Sequence, residues 1–283
     1  MSSRSDEQLK RRDLLRAGVA TVGATVLTGC SRTAATPLEP NAQPKLLQTL
    51  SLSEGGGALR VQRLFPLAAG HHLDPFVLLD HPAAPPLGVV PMHPHRGFEA
   101  FSYTFEGRVR HQDTLGNDSA ISAGGAQIFT SGRGAWHSER LVGPAAGSGI
   151  QLWVNLPPGR KQMEPSYKAV EPQEVPETHE RGVTVRTVAG KGSPTVLQTE
   201  MRWLDLSLQS GAAFEEAVTT GWTALLYVAQ GRVRIGELEF GQGQAALPQA
   251  GAFTVKALVA SRVMFVTGMP HHQPIQHRGP FVD

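Results

Sequence analysis

The chain has little cysteine, few aromatic residues and no long run of charge of one sign. Cys30 is the only cysteine among 283 residues, so a small domain held together by disulfides is excluded. No long charged stretch of the kind that forms solvent-exposed helices is present. Glycine and proline are abundant instead, with 31 and 21 copies, which favours many short strands joined by turns.

The charge balance argues against a nucleic-acid partner. The chain carries 26 Lys and Arg against 24 Asp and Glu. Five of the basic residues and three of the acidic ones precede residue 30, so the rest of the chain is balanced. Binding to nucleic acid requires a basic face that neutralises phosphates, and none is evident.

The first 29 residues are typical of an export signal. Arg11 and Arg12 precede an apolar segment, 17–27, that is too short to span a bilayer. The arginine pair resembles a twin-arginine signal, and the Leu-Thr-Gly-Cys sequence ending at Cys30 resembles a bacterial lipobox. We therefore expect removal of 1–29, a lipid on Cys30 as the one attachment to a membrane, and a periplasmic protein. Residues 30–46 would form a flexible tether.

The rest of the chain predicts an all-β fold built from two similar halves. Short apolar runs alternate with Gly, Pro, Asn and Asp turns, as in sandwiches and barrels. The sequence Y-x-x-x-G-R-V-R occurs at 103–110 and again at 227–234. This repeat predicts a duplicated barrel, with an N-terminal domain over 47–157, a linker over 158–182 and a C-terminal domain over 183–283.

Two pairs of candidate metal ligands lie in the first half. His93 and His95 share one face if the segment is extended, and so do His137 and Glu139. Three imidazoles and one carboxylate suit Fe, Mn, Co, Ni, Cu or Zn. The repeat offset of 124 residues places Ala217 and Thr219 opposite His93 and His95, so the second half has no matching histidines.

Other polar residues were weighed against this set. Glu99 is a rival fourth ligand, ranked behind Glu139 because Gly97 interrupts the strand pattern. His111 is interpreted as a half-buried strand residue or as a hydrogen-bond donor behind the ligands. Five further histidines, near predicted turns and the C-terminal region, are interpreted as surface residues: His71, His72, His271, His272 and His277.

These motifs resemble the pirin family. The resemblance is carried by HPHRGFEAFSYTFEG, HQDTLGN, SAGGAQIFTSGRGAWHSE, IQLWVNLPPGRKQMEPSY and PIQHRGPFV, and extends from about Gly57 to Val282. It implies two tandem cupin domains, of which only the N-terminal one holds metal. The family's H-x-H and H-x-E motifs match His93, His95, His137 and Glu139. The implied cofactor is one divalent ion, most often Fe(II).

The resemblance also implies a function. Some pirins resemble quercetin 2,3-dioxygenases, which cleave a flavonol with O2. Glu139 would then be the catalytic base, and Phe98, Phe101 and Trp136 would line a pocket for a small aromatic substrate. The alternative is a metal-binding module without enzymatic activity that senses redox state or binds a partner. We expect a monomer.

Overall fold

Residues 44–54, 59–67 and 71–283 are described by the computed structural model. All of them belong to one unit, Asn41–Asp283. The predicted signal peptide, Cys30 and the predicted tether up to residue 43 lie outside the described residues. Within the described ranges, no helix is long and apolar enough to cross a membrane.

The first half of the described chain consists of short strands that alternate with glycine-rich turns. In chain order they are β1 (Lys45–Gln48), β2 (Leu50–Glu54), β3 (Leu59–Phe65), β4 (Phe76–Ala84), β5 (Val89–His95), β6 (Phe98–Glu106), β7 (Arg108–Asp113), β8 (Asp118–Ser122), β9 (Ala126–Thr130), β10 (Ala135–Leu141), β11 (Gly147–Asn155) and β12 (Ser166–Val170).

The second half repeats this construction. Its strands are β13 (Glu177–Glu180), β14 (Val183–Ala189), β15 (Met201–Leu208), β16 (Ala213–Val218), β17 (Thr223–Gln230), β18 (Arg232–Ile235), β19 (Leu238–Gly241), β20 (Gln244–Leu247), β21 (Gly251–Ala257), β22 (Ser261–Gly268), β23 (His277–Arg278) and β24 (Phe281–Val282). Two short 3-10 helices, Pro158–Arg160 and Pro172–Glu174, lie between the halves.

Each half is a sandwich of a seven-stranded and a four-stranded sheet. The N-terminal sheets have the orders β12-β9-β6-β11-β4-β3-β2 and β5-β10-β7-β8. The C-terminal sheets have the orders β1-β20-β17-β22-β15-β14-β13 and β16-β21-β18-β19. The pairing is antiparallel throughout these four sheets, and the predicted all-β fold with two cupin domains is confirmed.

The halves exchange segments at positions that differ from the predicted boundaries. The tether was expected to reach residue 46, but Lys45 and Leu46 belong to β1, which pairs with β20 of the C-terminal half. The predicted linker is structured, because β12 pairs with β9 and β13 pairs with β14. These added strands cover sheet edges that would otherwise present unpaired backbone groups.

Buried side chains form three clusters. The largest lies between the two seven-stranded sheets and joins the halves; it includes Phe101, Tyr103, Trp203, Tyr227 and Met264. A second cluster fills the C-terminal sandwich. A third, with Phe98, Phe129 and Trp153, lies within the N-terminal sandwich. Burial of these aromatic and aliphatic surfaces is the main force that stabilises the fold.

The repeated motif occupies matching positions in the two halves. Tyr103 lies in β6 and Tyr227 in β17, and both are fully buried between the large sheets. The hydroxyl of Tyr103 donates to Asp205 Oδ2 over 2.9 Å, and that of Tyr227 lies 2.9 Å from His81 Nδ1. Asp205 and His81 are themselves separated by the same 124 residues. The repeat therefore marks a two-fold arrangement of polar contacts across the interface.

Candidate metal centre

The histidine site lies on the inner face of the four-stranded N-terminal sheet. β10 pairs with β5 so that His137 is opposite His93 and Ala135 is opposite His95. On its other side β10 pairs with β7, with His137 opposite Asp113. Because alternate residues of a strand share a face, His93, His95 and His137 all point into the sandwich.

The three imidazoles converge on one point. The Nε2 atoms of His93 and His95 are 3.0 Å apart. The ring centre of His137 lies 4.4 Å from that of His93 and 4.9 Å from that of His95. Potential ligand atoms of all three lie within 4.8 Å of one another. Nitrogens bound to one ion at about 2.1 Å are separated by about 3 Å, so little movement is needed.

The hydrogen bonds of these rings leave their lone pairs facing each other. His93 Nδ1 lies 2.8 Å from Pro91 O, and His95 Nδ1 lies 3.3 Å from Pro280 O. Since a carbonyl oxygen only accepts, each neutral ring carries its proton on Nδ1 and its lone pair on Nε2. The buried Nε2 of His137 has no hydrogen-bond partner. Three facing lone pairs repel unless a cation lies between them, so these residues fit a metal ion.

The electrostatics keep the rings of His95 and His137 neutral, as metal ligands must be. Burial, helped by the neighbouring His93, lowers the pKa of His95 to about 3. Burial and the other histidines, His95 first, also lower the pKa of His137 far below its usual value. Both rings are therefore uncharged at neutral pH, with one proton each.

Glu139 lies beside the three histidines, but its carboxylate is turned toward Gln127. Gln127 Nε2 donates to Glu139 Oε1. Burial raises the pKa of Glu139 to about 7, against the opposing effect of that hydrogen bond. Potential ligand atoms of Glu139, His111 and His137 lie within 4.8 Å of one another. Glu139 does not belong to the cluster formed by His93, His95 and His137. The fourth-ligand assignment of Glu139 stays a prediction.

Glu99, the rival ligand, faces the other way. Gly97 has a φ of 84°, and this left-handed turn shifts the alternation between β5 and β6. The fully buried Glu99 accepts from Thr130 Oγ1 and from the backbone N–H of Gln198, on the side of the interdomain core. Glu99 therefore supports the junction of the halves and does not reach the histidines.

His111 is more deeply buried than the sequence suggested. It has no exposed surface, its Nδ1 lies 3.4 Å from His137 Nδ1, and its Nε2 lies 3.0 Å from Asp113 Oδ2. Burial lowers the pKa of His111, although Asp113 opposes this. Burial raises the pKa of Asp113, but hydrogen bonds from Asn117, His111 and Leu115 outweigh it and hold that pKa below its usual value. Asp113 was missed at the sequence level, although its H-x-D spacing repeats that of H-x-E.

A cavity of about 440 Å³ opens on His93, His95 and Glu139. Its wall combines aliphatic residues such as Leu78 and Ile150 with polar groups and Trp153. Further along the wall, Arg63 donates to Asp80 through two hydrogen bonds of 2.8 and 2.6 Å. An apolar cavity with a few convergent polar groups is the usual form of a small-molecule site.

The aromatic residues predicted for the pocket lie elsewhere. Phe98 stacks behind Trp153 at 4.0 Å, and Phe101 packs against Trp203 in the interdomain core at 4.7 Å. Trp136 lies between two inward residues of β10, so its side chain points outward and is 49% exposed. None of the three is among the lining residues of this cavity. Because successive residues of a strand face opposite sides, Phe101 and Trp136 face away from the cavity.

The C-terminal segment forms part of the site. His277, Gly279 and Pro280 line the cavity. Half-buried Lys161 donates to Gly97 O over 3.0 Å and to Val282 O over 2.9 Å, which ties this segment to the strand turn after His95. A Cβ on Gly97 would lie 1.8 Å from Val282 O, so glycine is required there. His277, interpreted from the sequence as a surface residue, is half-buried and also lines the cavity.

The C-terminal half holds apolar side chains at the equivalent place. Ala217 pairs with Ala252, and both are exposed on the outer face. The repeat offset therefore does not carry the inward positions of β5 onto those of β16. The inward positions are instead Phe214, Glu216 and Val218 of β16 and Phe253 and Val255 of β21, and Glu216 forms an ion pair of 2.6 Å with Arg202. Among the described residues, both clusters of three or more candidate ligands lie in the N-terminal half.

Comparison with known proteins gives the family. The pirin family profile matches residues 58–154, and that of the pirin C-terminal cupin domain matches 203–283. Human pirin is 35% identical over 242 residues, which cover 81% of this chain and 83% of that protein. The chain belongs to the pirin family. The predicted resemblance is thereby confirmed for both halves.

Solved structures of related proteins agree with this assignment. A quercetin 2,3-dioxygenase of Acinetobacter baumannii superposes with a TM-score of 0.78 at 28% identity, covering 85% of this pirin-family chain and 91% of the enzyme. The bacterial pirin YhhW of Escherichia coli, in complex with nickel(II), has a TM-score of 0.66 at 20% identity and covers 80% and 98% of the two chains. At that identity the second likeness concerns the fold alone.

Proposed function

We propose that this pirin-family protein is a metal-dependent dioxygenase that cleaves a flavonol-type aromatic substrate with O2. The observation that carries the proposal is the convergence of three imidazoles, two of them buried, beside a cavity of about 440 Å³ that His93 and His95 line. The likeness to a quercetin 2,3-dioxygenase at 28% identity supports the same reaction class.

The residues have distinct tasks in this proposal. His93, His95 and His137 hold one divalent ion, for which we propose Fe(II), with Glu139 as the fourth ligand. The ion would supply Lewis acidity and a template for the substrate oxygens. Glu139 is positioned to accept the proton of a substrate hydroxyl, and Gln127 orients its carboxylate through the hydrogen bond to Oε1.

The cavity wall accounts for the proposed substrate class. Trp153 lines the cavity as an aromatic contact, and aliphatic residues such as Leu78 and Ile150 would exclude water from a planar ring system. Polar groups of the wall, including Ser102 and Thr104, can accept or donate hydrogen bonds to substrate hydroxyls.

The decisive experiment is anaerobic reconstitution with Fe(II) of the wild type and of the His95→Ala variant. O2 consumption is then measured with a panel of flavonols. We expect uptake that depends on both flavonol and iron in the wild type, and loss of metal and uptake in the variant. No uptake by iron-loaded wild type would favour the alternative, a metal-binding redox sensor or partner-binding module. Equal metal content in His95→Ala would remove the site assignment.

The proposal includes export and lipid attachment. A twin-arginine route carries folded proteins, so iron could be loaded in the cytoplasm before stronger competitors such as Cu and Zn are met. The wild type and the Cys30→Ser variant are both expressed with the native signal. The wild type should then associate with membranes and carry the added mass of a lipid, and the variant should do neither. Predominant Zn or Cu in freshly exported protein would contradict cytoplasmic iron loading. We further propose a monomer that needs no nucleic acid.

A further inference from the structure

The three site histidines differ in what holds their second ring nitrogen. His93 and His95 face backbone carbonyl oxygens, those of Pro91 and Pro280, and these acceptors fix the proton on Nδ1 whatever the side chains nearby. The Nδ1 of His137 faces another imidazole, that of His111, at 3.4 Å. An imidazole nitrogen can donate or accept, so the tautomer of His137 depends on that of His111.

Asp113 decides the tautomer of His111. The Asp113 side chain has no exposed surface, and its Oδ2 lies 3.0 Å from His111 Nε2. Its Oδ1 accepts from the backbone N–H groups of Leu115 and Asn117, at 2.9 and 3.0 Å, and its Oδ2 also accepts from Asn117 Nδ2 at 2.8 Å. Three N–H groups around one carboxylate hold it as an acceptor. The proton of neutral His111 therefore belongs on Nε2, and its Nδ1 carries a lone pair.

The tautomer of His111 determines the tautomer of His137. With a lone pair on His111 Nδ1, the proton of His137 must lie on its own Nδ1, and its Nε2 is free. That Nε2 is the buried atom without a hydrogen-bond partner. The opposite arrangement would place two lone pairs against each other, one on His111 Nε2 and one on the Asp113 carboxylate.

We propose that Asp113 and His111 form a positioning chain that directs the Nε2 lone pair of His137 onto the metal ion. This inference rests on the metal centre of the proposed function. A carboxylate that acts through an imidazole makes the ligand more basic, so His137 would be the strongest donor of the three. His111 and Asp113 are positioning residues, since neither touches substrate.

The chain is tested by two substitutions of one residue. His111→Phe keeps the ring that stacks on Tyr167 at 4.0 Å but removes the acceptor. His111→Asn removes the ring but places an amide oxygen near the former Nδ1. Gln112→Ala is the matched control, because Gln112 neighbours His111 on the opposite strand face and donates to Asp118 instead.

The first measurement is metal affinity, by competition with a chromophoric chelator for Zn(II) and Ni(II). We expect a loss of about 10- to 100-fold for His111→Phe, since removal of such outer partners has this effect on metal affinity. His111→Asn should recover most of that loss, and Gln112→Ala should bind as the wild type does. Equal affinity of His111→Phe and the wild type would overturn the proposal, as would failure of His111→Asn to bind better than His111→Phe.

The second measurement is the tautomer itself, by nitrogen-15 NMR of labelled histidines in the metal-free protein. We expect the Nδ1–H form of His137 in the wild type and its loss in His111→Phe. An Nε2–H form of His137 in the wild type would overturn the proposed positioning by Asp113 and His111. The spectrum does not depend on metal binding. If the wild type binds no metal, the proposed function is refuted, and the spectrum still tests the positioning chain of Asp113 and His111. Anomalous scattering that places a bound ion between His111 and Glu139 would also overturn it.

Discussion

The N-terminal and C-terminal cupins have the same sheet plan but opposite interiors. In both, a four-stranded sheet faces a seven-stranded one, in the orders β5-β10-β7-β8 and β16-β21-β18-β19. In the first, the inner face of the small sheet carries four histidines, a glutamate and an aspartate. In the second, the corresponding face carries Phe214, Val218, Phe253 and Val255, with one charged residue, Glu216, paired with Arg202. The sandwich tolerates either interior, so the metal chemistry lies in side chains and not in the fold.

The polar interior has an energetic cost that the apolar one lacks. Burying imidazoles and carboxylates without partners is unfavourable by several kcal/mol in total. Hydrogen bonds such as those of Asp113 offset part of this cost, but the Nε2 of His137 is still unpartnered. A bound cation would remove the remaining penalty. The N-terminal half should therefore depend on metal for stability, and the C-terminal half should depend on packing.

The largest effect is expected in the apolar half. Phe265 has no exposed surface and belongs to the cluster that fills the C-terminal sandwich. Phe265→Ala should lower the free energy of unfolding by about 3–5 kcal/mol, through lost burial and a residual cavity. Urea unfolding measures this change, and Val259→Ala, at a position 43% exposed, should cost about 0.5 kcal/mol or less. Unchanged stability in Phe265→Ala would contradict the packing role.

The next effect is metal removal from the polar half. A ligand present at 100 times its dissociation constant stabilises the folded state by about 2.7 kcal/mol. Chelation should therefore lower the thermal midpoint of the wild type. The His95→Ala variant serves as the control and should show no such shift. A shift of equal size in both proteins would mean that the stabilising ion binds elsewhere.

A smaller effect concerns pH and the interface between the halves. Burial, together with Arg262, lowers the pKa of His81 from 6.5 to about 4. The unfolded chain then binds more protons than the folded one between these values. The contribution of His81 is fully present above pH 6.5 and declines as the pH falls toward 4.

This pH effect is isolated by a matched variant. His81→Asn keeps an acceptor for the hydroxyl of Tyr227 but does not titrate. Between pH 7.5 and 5, the wild type should lose about 2 kcal/mol more of its free energy of unfolding than the variant does. Urea unfolding at the two pH values measures the difference. Parallel losses would show that His81 is protonated in the folded protein.

The smallest effect is expected at Trp136. Because its side chain points outward from β10, Trp136→Ala should change stability by about 0.5 kcal/mol or less and leave metal affinity unchanged. Trp153→Phe should instead weaken flavonol binding, since Trp153 lines the cavity. Calorimetric titration with a flavonol compares the two. Weaker binding by Trp136→Ala alone would restore the original pocket prediction.

The sequence alone was sufficient for features that depend on local rules. Short apolar runs between Gly, Pro, Asn and Asp turns indicated the strands, and the repeat of Tyr103 and Tyr227 indicated the duplication. The spacing of His93 and His95 placed both on one face, because side chains in a strand alternate with period two. The same rule, applied within β10, placed His137 and Glu139 together.

The sequence did not predict features that depend on how strands pair and pack. Glu99 was a rival ligand until the left-handed turn at Gly97 showed that it faces the interdomain core. The offset of 124 residues placed the counterpart of His93 at Ala217, which the pairing of β16 with β21 leaves on the exposed face. His277 joins the cavity through contacts made by residues far apart in the chain, which periodicity does not encode.

The sequence by itself determined the strand-rich fold, its duplication and the identity of the histidines, since these follow from composition and from spacing within single strands. Only the tertiary structure decided which nitrogen of each histidine is free. That choice depends on Pro91 O, Pro280 O and the pair His111 and Asp113, whose positions relative to the rings are set by strand pairing and by the returning C-terminal segment. The direction of a lone pair is a property of the assembled site.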